Sequence, residues 1–90
     1  MDKSELKENL KKQIVQYVNI LDYTPDQITD DIPLFGPKGL GLDSIDALEL
    51  SVMLEREYNI KLTDPAESRK ILTNVESIAD YIILVKSTEQ

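Results

Sequence analysis

The residues able to do chemistry in this sequence are concentrated in Asp43, Ser44 and Asp46. They follow the run Gly39-Leu40-Gly41-Leu42 and lead into a strongly amphipathic stretch. Asp43 is of the type that caps a helix. That puts Ser44 at the first helical position and Asp46 in the first turn, where the helix dipole favours negative charge. A serine hydroxyl at such a junction points to solvent, beside backbone N–H groups that lack intrahelical partners. This setting suits a group attached through a phosphate. An ordinary cap or first-turn serine has the same local pattern, so the junction alone does not decide. Self-activation of Ser44 is not expected. The chain has no His and no Cys, and no Lys close by in sequence to serve as a base. Ser-His and Cys-His catalysis are thereby excluded from this chain alone. The glycine loop does not fit a phosphate loop, because Lys38 is not followed by Ser or Thr and no strand pattern precedes it. Nor does Gly41-Leu42-Asp43-Ser44-Ile45 fit a nucleophile elbow, which needs Gly-x-Ser-x-Gly. Asp43, Asp46 and Glu49 lack the alternating spacing of a calcium loop, and no metal site is expected.

The element that positions Ser44 is the helix expected from Ser44 to Tyr58. On a helical wheel Ala47, Leu50, Leu54 and Tyr58 fall on one stripe, at spacings of three and four, as a core face does. Ile45, Leu48 and Val52 form a second apolar stripe well round the wheel. A helix with two such faces is either buried on all sides or keeps one face for a partner. The second stripe is edged by Asp46, Glu49, Glu55 and Arg56, which argues for a docking ridge with an acidic rim over additional core.

Asp43-Ser44-Ile45 followed by Asp46-Ala47-Leu48-Glu49-Leu50 resembles the attachment motif of acyl carrier proteins. The likeness extends over a first amphipathic helix, a long loop, the motif helix, a short helix and a last helix, essentially the whole chain. The resemblance implies a non-catalytic carrier whose Ser44 holds a 4'-phosphopantetheine arm, donated from coenzyme A by a separate phosphopantetheinyl transferase. It implies acyl groups carried as thioesters and delivered to enzymes of fatty-acid, lipid or polyketide-type biosynthesis. Asp43 and Asp46 would help the transferase find Ser44. Ile45, Leu48 and Val52, with Glu49 and Glu55, would meet acyl-loading, condensing and acyl-transfer enzymes through their basic patches. Many fatty-acid carriers have an acidic residue where this chain has Gly39, just before Leu40-Gly41. The likeness is therefore to a specialised member rather than to the housekeeping fatty-acid carrier. Two alternatives stay open: an aminoacyl or peptidyl carrier, and an unmodified helical adaptor.

Composition sets the outer bounds. Ninety residues, 41% hydrophobic and 6% aromatic, make a single domain (1–90) with one modest core. No disulfide or Cys-based metal site is possible. The N-terminus has no signal-peptide pattern and no apolar run approaches a membrane span, so a cytoplasmic monomer is expected. The formal charge of −7 argues against nucleic acid and anionic membrane surfaces. Residues 22–67 hold eleven Asp or Glu against three Lys or Arg. This acidic middle suits partners with basic patches, or serves solubility. Within it, Asp30 with Asp31, and Asp43 with Asp46, are close enough in sequence to be expected to repel each other.

Taken in order, the chain reads as an all-α bundle of three principal helices and one short one. Asp2 and Glu5 resemble a capping box for a helix over Ser4 to Leu21, with Leu6, Leu10, Ile14, Tyr17 and Val18 recurring at helical spacing. Lys3, Lys7, Lys11 and Lys12 read as its solvated side. Thr24-Pro25-Asp26-Gln27 reads as one capped turn. Ile28, Ile32, Leu34 and Phe35 are too apolar for a free loop and should pin the connection to the bundle. Asp64-Pro65 starts a short helix to about Lys70. Thr73 and Glu76 suggest a capping box for a last helix to about Lys86, with residues 87–90 as a frayed tail.

Overall fold

The computed structural model describes residues 2–20 and 23–88, which form four α-helices and one 3-10 turn. α1 spans Lys3–Val18, α2 Ser44–Tyr58, α3 Pro65–Ile71 and α4 Val75–Thr88, with the 3-10 turn at Pro25–Gln27. There is no strand among the described residues. The only extended pairing among the described residues is an isolated parallel bridge between Phe35 and Leu42.

Local chemistry accounts for most element ends. Asp2 caps α1 by accepting from Ser4 N, and Asp64 caps α3 by accepting from Ala66 N, with Pro65 at a first-turn position where its missing N–H costs nothing. α1 stops at Val18, short of the Leu21 expected from its apolar spacing, and Leu21 itself lies outside the described residues. The cause is Asn19, which takes the left-handed conformation at φ 54° and returns its N–H to Val15 O. Asn59 ends α2 the same way at φ 56°, and the next N–H, that of Ile60, reaches back to Leu54 O. Asn is one of the few residues that tolerates this backbone region. The close of α2 also buries Ile60, with Leu62 half-buried and Asn59 and Lys61 exposed, and no strand forms there.

The expected Thr73/Glu76 cap is not what starts α4. Asn74 and Ser77 form the reciprocal pair instead: Ser77 N donates to Asn74 Oδ1 at 2.7 Å and Asn74 N to Ser77 Oγ at 3.0 Å. The Thr73 hydroxyl turns back to the carbonyls of Arg69 and Lys70, and Glu76 faces Lys3 and Lys7. α4 continues to Thr88, two residues past its expected end. Glu89 and Gln90 lie outside the described residues.

α1 packs against both α2 and α4, and α3 packs on α4. Leu6, Leu10 and Ile14 of α1 meet Leu50, Met53 and Leu54 of α2 and the buried face of α4 in one core. Met53 completes the α2 core face beside Leu50 and Leu54. Tyr58, at its end, is half-buried and donates its hydroxyl to Gln13 Oε1 at 2.6 Å. The long connection is pinned as its apolar residues imply: Ile28 and Leu34 are fully buried, and Ile32 and Phe35 pack on the core.

The lysines of α1 are not a solvated row. Lys7 lies between Asp30 at 2.8 Å and Glu76 at 3.3 Å, Lys11 contacts Asp30 at 2.9 Å, and Lys3 contacts Glu76 and Asp80. These pairs tie α1 to the connecting loop and to α4. Only Lys12 is exposed as expected. Asp30 is therefore held between two lysines, which offsets the repulsion from Asp31.

Candidate functional site

Ser44 opens α2 with Asp43 as its N-cap. The Asp43 carboxylate accepts from Ile45 N and Asp46 N, both at 3.1 Å, and the Asp46 carboxylate accepts from Asp43 N at 3.0 Å. Ala47 N donates to Asp43 O at 3.0 Å. The Asp43 carboxylate thus satisfies two of the first-turn N–H groups of α2, and Ala47 N makes the first ordinary intrahelical bond. The free N–H groups that made this junction look suited to an anion are largely occupied by the protein's own carboxylate. What remains is an exposed serine side chain on a rigid first turn, flanked by two negative charges.

The loop before Ser44 is held by the backbone. Leu42 N donates to Leu34 O, Leu34 N to Thr73 O, and Leu40 N to Pro33 O, at 3.0–3.1 Å. This relay fixes the residues just ahead of Ser44 to the junction of α3 and α4. Gly39 fits here because it has no side chain: an added Cβ would run into the Pro33 carbonyl. Gly41 has φ 71°, the left-handed region that glycine enters without strain.

Beside Ser44 a groove of about 650 Å³ opens between α2 and α3. α2 contributes Ser44, Ala47, Leu48 and Ser51, spaced three and four apart on one helix face. α3 contributes Pro65, Ser68 and Arg69 on the facing wall, while Leu72, Thr73, Pro33 and Phe35 complete it. α3 packs on α4 and stands off from α2, and the small side chains of Ala47 and Ser51 keep the space between them open. Ala47 packs against the core, as its place on the apolar stripe implies, and also lines the groove, while no apolar or charge pattern in the sequence singles out Ser51. The signal that could have found the groove was small residues at three and seven positions beyond Ser44. Leu48 was expected on an outward ridge, and it both faces solvent and borders the groove.

The ridge is divided. Ile45 is 70% exposed and Leu48 63%, while Val52 is half-buried. Of the acidic rim, Glu55 is exposed and Asp46 and Glu49 are half-buried. Asp46 is engaged in the cap, so its charge is fixed in position. No cluster of Asp, Glu, His or Cys among the described residues could hold a metal ion. No helix among them is long and apolar enough to cross a membrane.

The chain is similar to known proteins over most of its length. Residues 13–82 match the phosphopantetheine attachment site family. The chain is also 35% identical over 77 residues to the acyl carrier protein of Buchnera aphidicola subsp. Baizongia pistaciae (strain Bp), a match covering 86% of this chain and 90% of that one.

Proposed function

The chain belongs to the acyl carrier protein family, and we propose that Ser44 carries its phosphopantetheine arm. The observation that carries this reading is an exposed serine at the first position of α2, held between Asp43 and Asp46 and opening onto a groove. The arm's terminal thiol would hold the acyl group as a thioester. The protein's part is to fix the attachment point, shelter the arm and present a surface. Asp43 and Asp46 lock the first turn, so the Ser44 hydroxyl is offered at one place to a separate transferase that loads it from coenzyme A. The chain offers no base near Ser44, and activation of the hydroxyl falls to that enzyme.

The groove fits such an arm by its chemistry. The hydroxyls of Ser51, Ser68 and Thr73 donate to the carbonyls of Ala47, Asp64 and Lys70 at 2.9–3.1 Å. Their oxygen lone pairs remain to accept hydrogen bonds. The arm's amide N–H groups can donate to them, and Phe35, Leu48 and Leu72 give its aliphatic parts apolar contact.

Partner enzymes of fatty-acid, lipid or polyketide-type biosynthesis would dock on Ile45 and Leu48, with Val52 at the edge. Asp43, Asp46, Glu49 and Glu55 would steer their basic patches. Gly39 supports a specialised role, since the loop has no room at that position for the acidic side chain of many fatty-acid carriers. The test is mass spectrometry of the protein isolated from its native host. An acyl thioester on the arm, released by hydroxylamine, is expected. An aminoacyl thioester would make it a carrier of the peptide-synthesis type, and an unmodified chain would leave it a helical adaptor.

A further inference from the structure

Resting on the reading of Ser44 as the attachment site, we propose that Arg69 pairs with the phosphodiester joining the arm to Ser44. The pairing would draw the arm into the groove between α2 and α3.

Charge is the first ground. A phosphodiester on Ser44 would stand beside the carboxylates of Asp43 and Asp46, which repel it. The N–H groups of Ile45 and Asp46, which a helix N-terminus would otherwise lend to an anion, already donate to the Asp43 carboxylate. The facing wall of the groove offers a full positive charge. Arg69 is the one charged side chain among the described residues that line it. It is exposed, and it forms no ion pair with another described residue, unlike Lys3, Lys7 and Lys11. A guanidinium presents a planar fork of donors that matches two phosphate oxygens.

Position is the second ground. The relay from Leu42 N to Leu34 O and from Leu34 N to Thr73 O continues through the Thr73 hydroxyl to Arg69 O at 3.2 Å. The Arg69 main chain is thereby tied to the loop that leads into Ser44. The third ground is the donor set. With the hydroxyl hydrogens of Ser51 and Ser68 spent on backbone carbonyls, the groove's polar side chains offer acceptors for the arm's amides. Arg69 supplies a charged donor for its single anion.

NMR of the protein before and after loading tests this directly. The chain has two arginines, Arg56 and Arg69, so the side-chain Nε–H signals are easily assigned with Arg69→Lys. Loading with coenzyme A and a transferase is first verified by intact mass. The Arg69 Nε–H signal is expected to shift on loading while that of Arg56 stays. The shift should fall away in ~1 M sodium chloride, where screening is strong. The phosphorus resonance of the arm should move in Arg69→Gln and return towards the wild-type position in Arg69→Lys. Unchanged thermal unfolding of the unloaded variants would separate this from a loss of fold. An Arg69 signal identical in the two states, with an unmoved phosphorus resonance in Arg69→Gln, overturns the proposal. So does a shift that appears only when the loaded acyl group ends in a carboxylate, because Arg69 would then be reading the cargo. If no arm is added, the mass shows it before any spectrum is taken, and the Ser44 reading falls together with the proposal.

Discussion

Asp43 and Asp46 each accept the other's backbone N–H, at 3.0 and 3.1 Å. Two carboxylates expected to repel each other instead share the first turn of α2, where the helix dipole offsets part of that repulsion. Asp43→Ala is expected to cost about 1 kcal/mol of stability, within the usual range for a lost N-cap. Asp43→Asn keeps an acceptor oxygen and should cost less. Urea unfolding of the two variants measures the difference, and equal losses would mean that charge, not hydrogen bonding, holds the turn.

The exposed ridge should behave unlike the core beside it. Leu50 is fully buried, and Leu50→Ala is expected to cost about 2–5 kcal/mol, as buried leucine truncations do. Leu48→Ala removes a side chain that is already 63% exposed, and should cost under about 1 kcal/mol while slowing acyl transfer with a partner enzyme. Glu49→Lys should lower the association rate with a basic partner, most clearly at low salt. Stopped-flow association and urea unfolding read the two effects separately.

Gly39 should be the least replaceable of the loop glycines. Its missing Cβ makes room for the Pro33 carbonyl, which accepts from Leu40 N at 3.0 Å. Gly39→Ala is expected to lower stability by more than about 1 kcal/mol, because main chain must move. It should also slow loading of Ser44, through the shared loop. Gly36→Ala meets open space but has φ 88°, so its cost is backbone strain alone. Thermal unfolding and a loading time course check both.

The ion pairs of α1 set an acid limit. Hydrogen bonds from Lys7 and then Lys11 hold the Asp30 carboxyl below its ordinary range, and those from Lys3 and then Lys7 do the same for Glu76. A carboxylate with a lowered folded value stabilises the fold above its unfolded pKa, near 4. That stabilisation is lost as pH falls through the folded value. The melting temperature advantage of wild type over Asp30→Asn should therefore be full at neutral pH and shrink below about pH 4. A gap that stays constant to pH 3 would show that the pairs contribute little.

Features carried by neighbouring residues were legible in the sequence. The α2 cap, its core stripe, the Asp64-Pro65 start of α3 and the pinned loop all follow from residue type and spacing. What stayed hidden depends on distant partners. Lys7 finds Glu76 sixty-nine residues away, so no local pattern distinguishes it from a solvated lysine. Glu76 is drawn into those same pairs, and the cap of α4 falls to Asn74 and Ser77. The groove exists because α3 rests on α4 and leaves α2 uncovered beside Ser44. Small residues at Ala47 and Ser51 are compatible with such a space but do not announce it.

Ser51 gives the groove its own test. Ser51→Leu would fill the space between α2 and α3 from a half-buried position. Loading of Ser44 is expected to proceed at the wild-type rate, while the thiol of the loaded arm reacts several-fold faster with a disulfide reagent. Equal thiol reactivity in the two proteins would mean that the arm does not use the groove.

The central claim is that Ser44 is the single attachment point, and intact-mass measurement after incubation with coenzyme A and a phosphopantetheinyl transferase tests it most directly. The wild type should gain one arm and stop there, and Ser44→Ala, whose exposed position leaves the fold undisturbed, should gain none. Equal loading of Ser44→Ala, or a wild type that gains nothing under conditions that load another carrier, would contradict it.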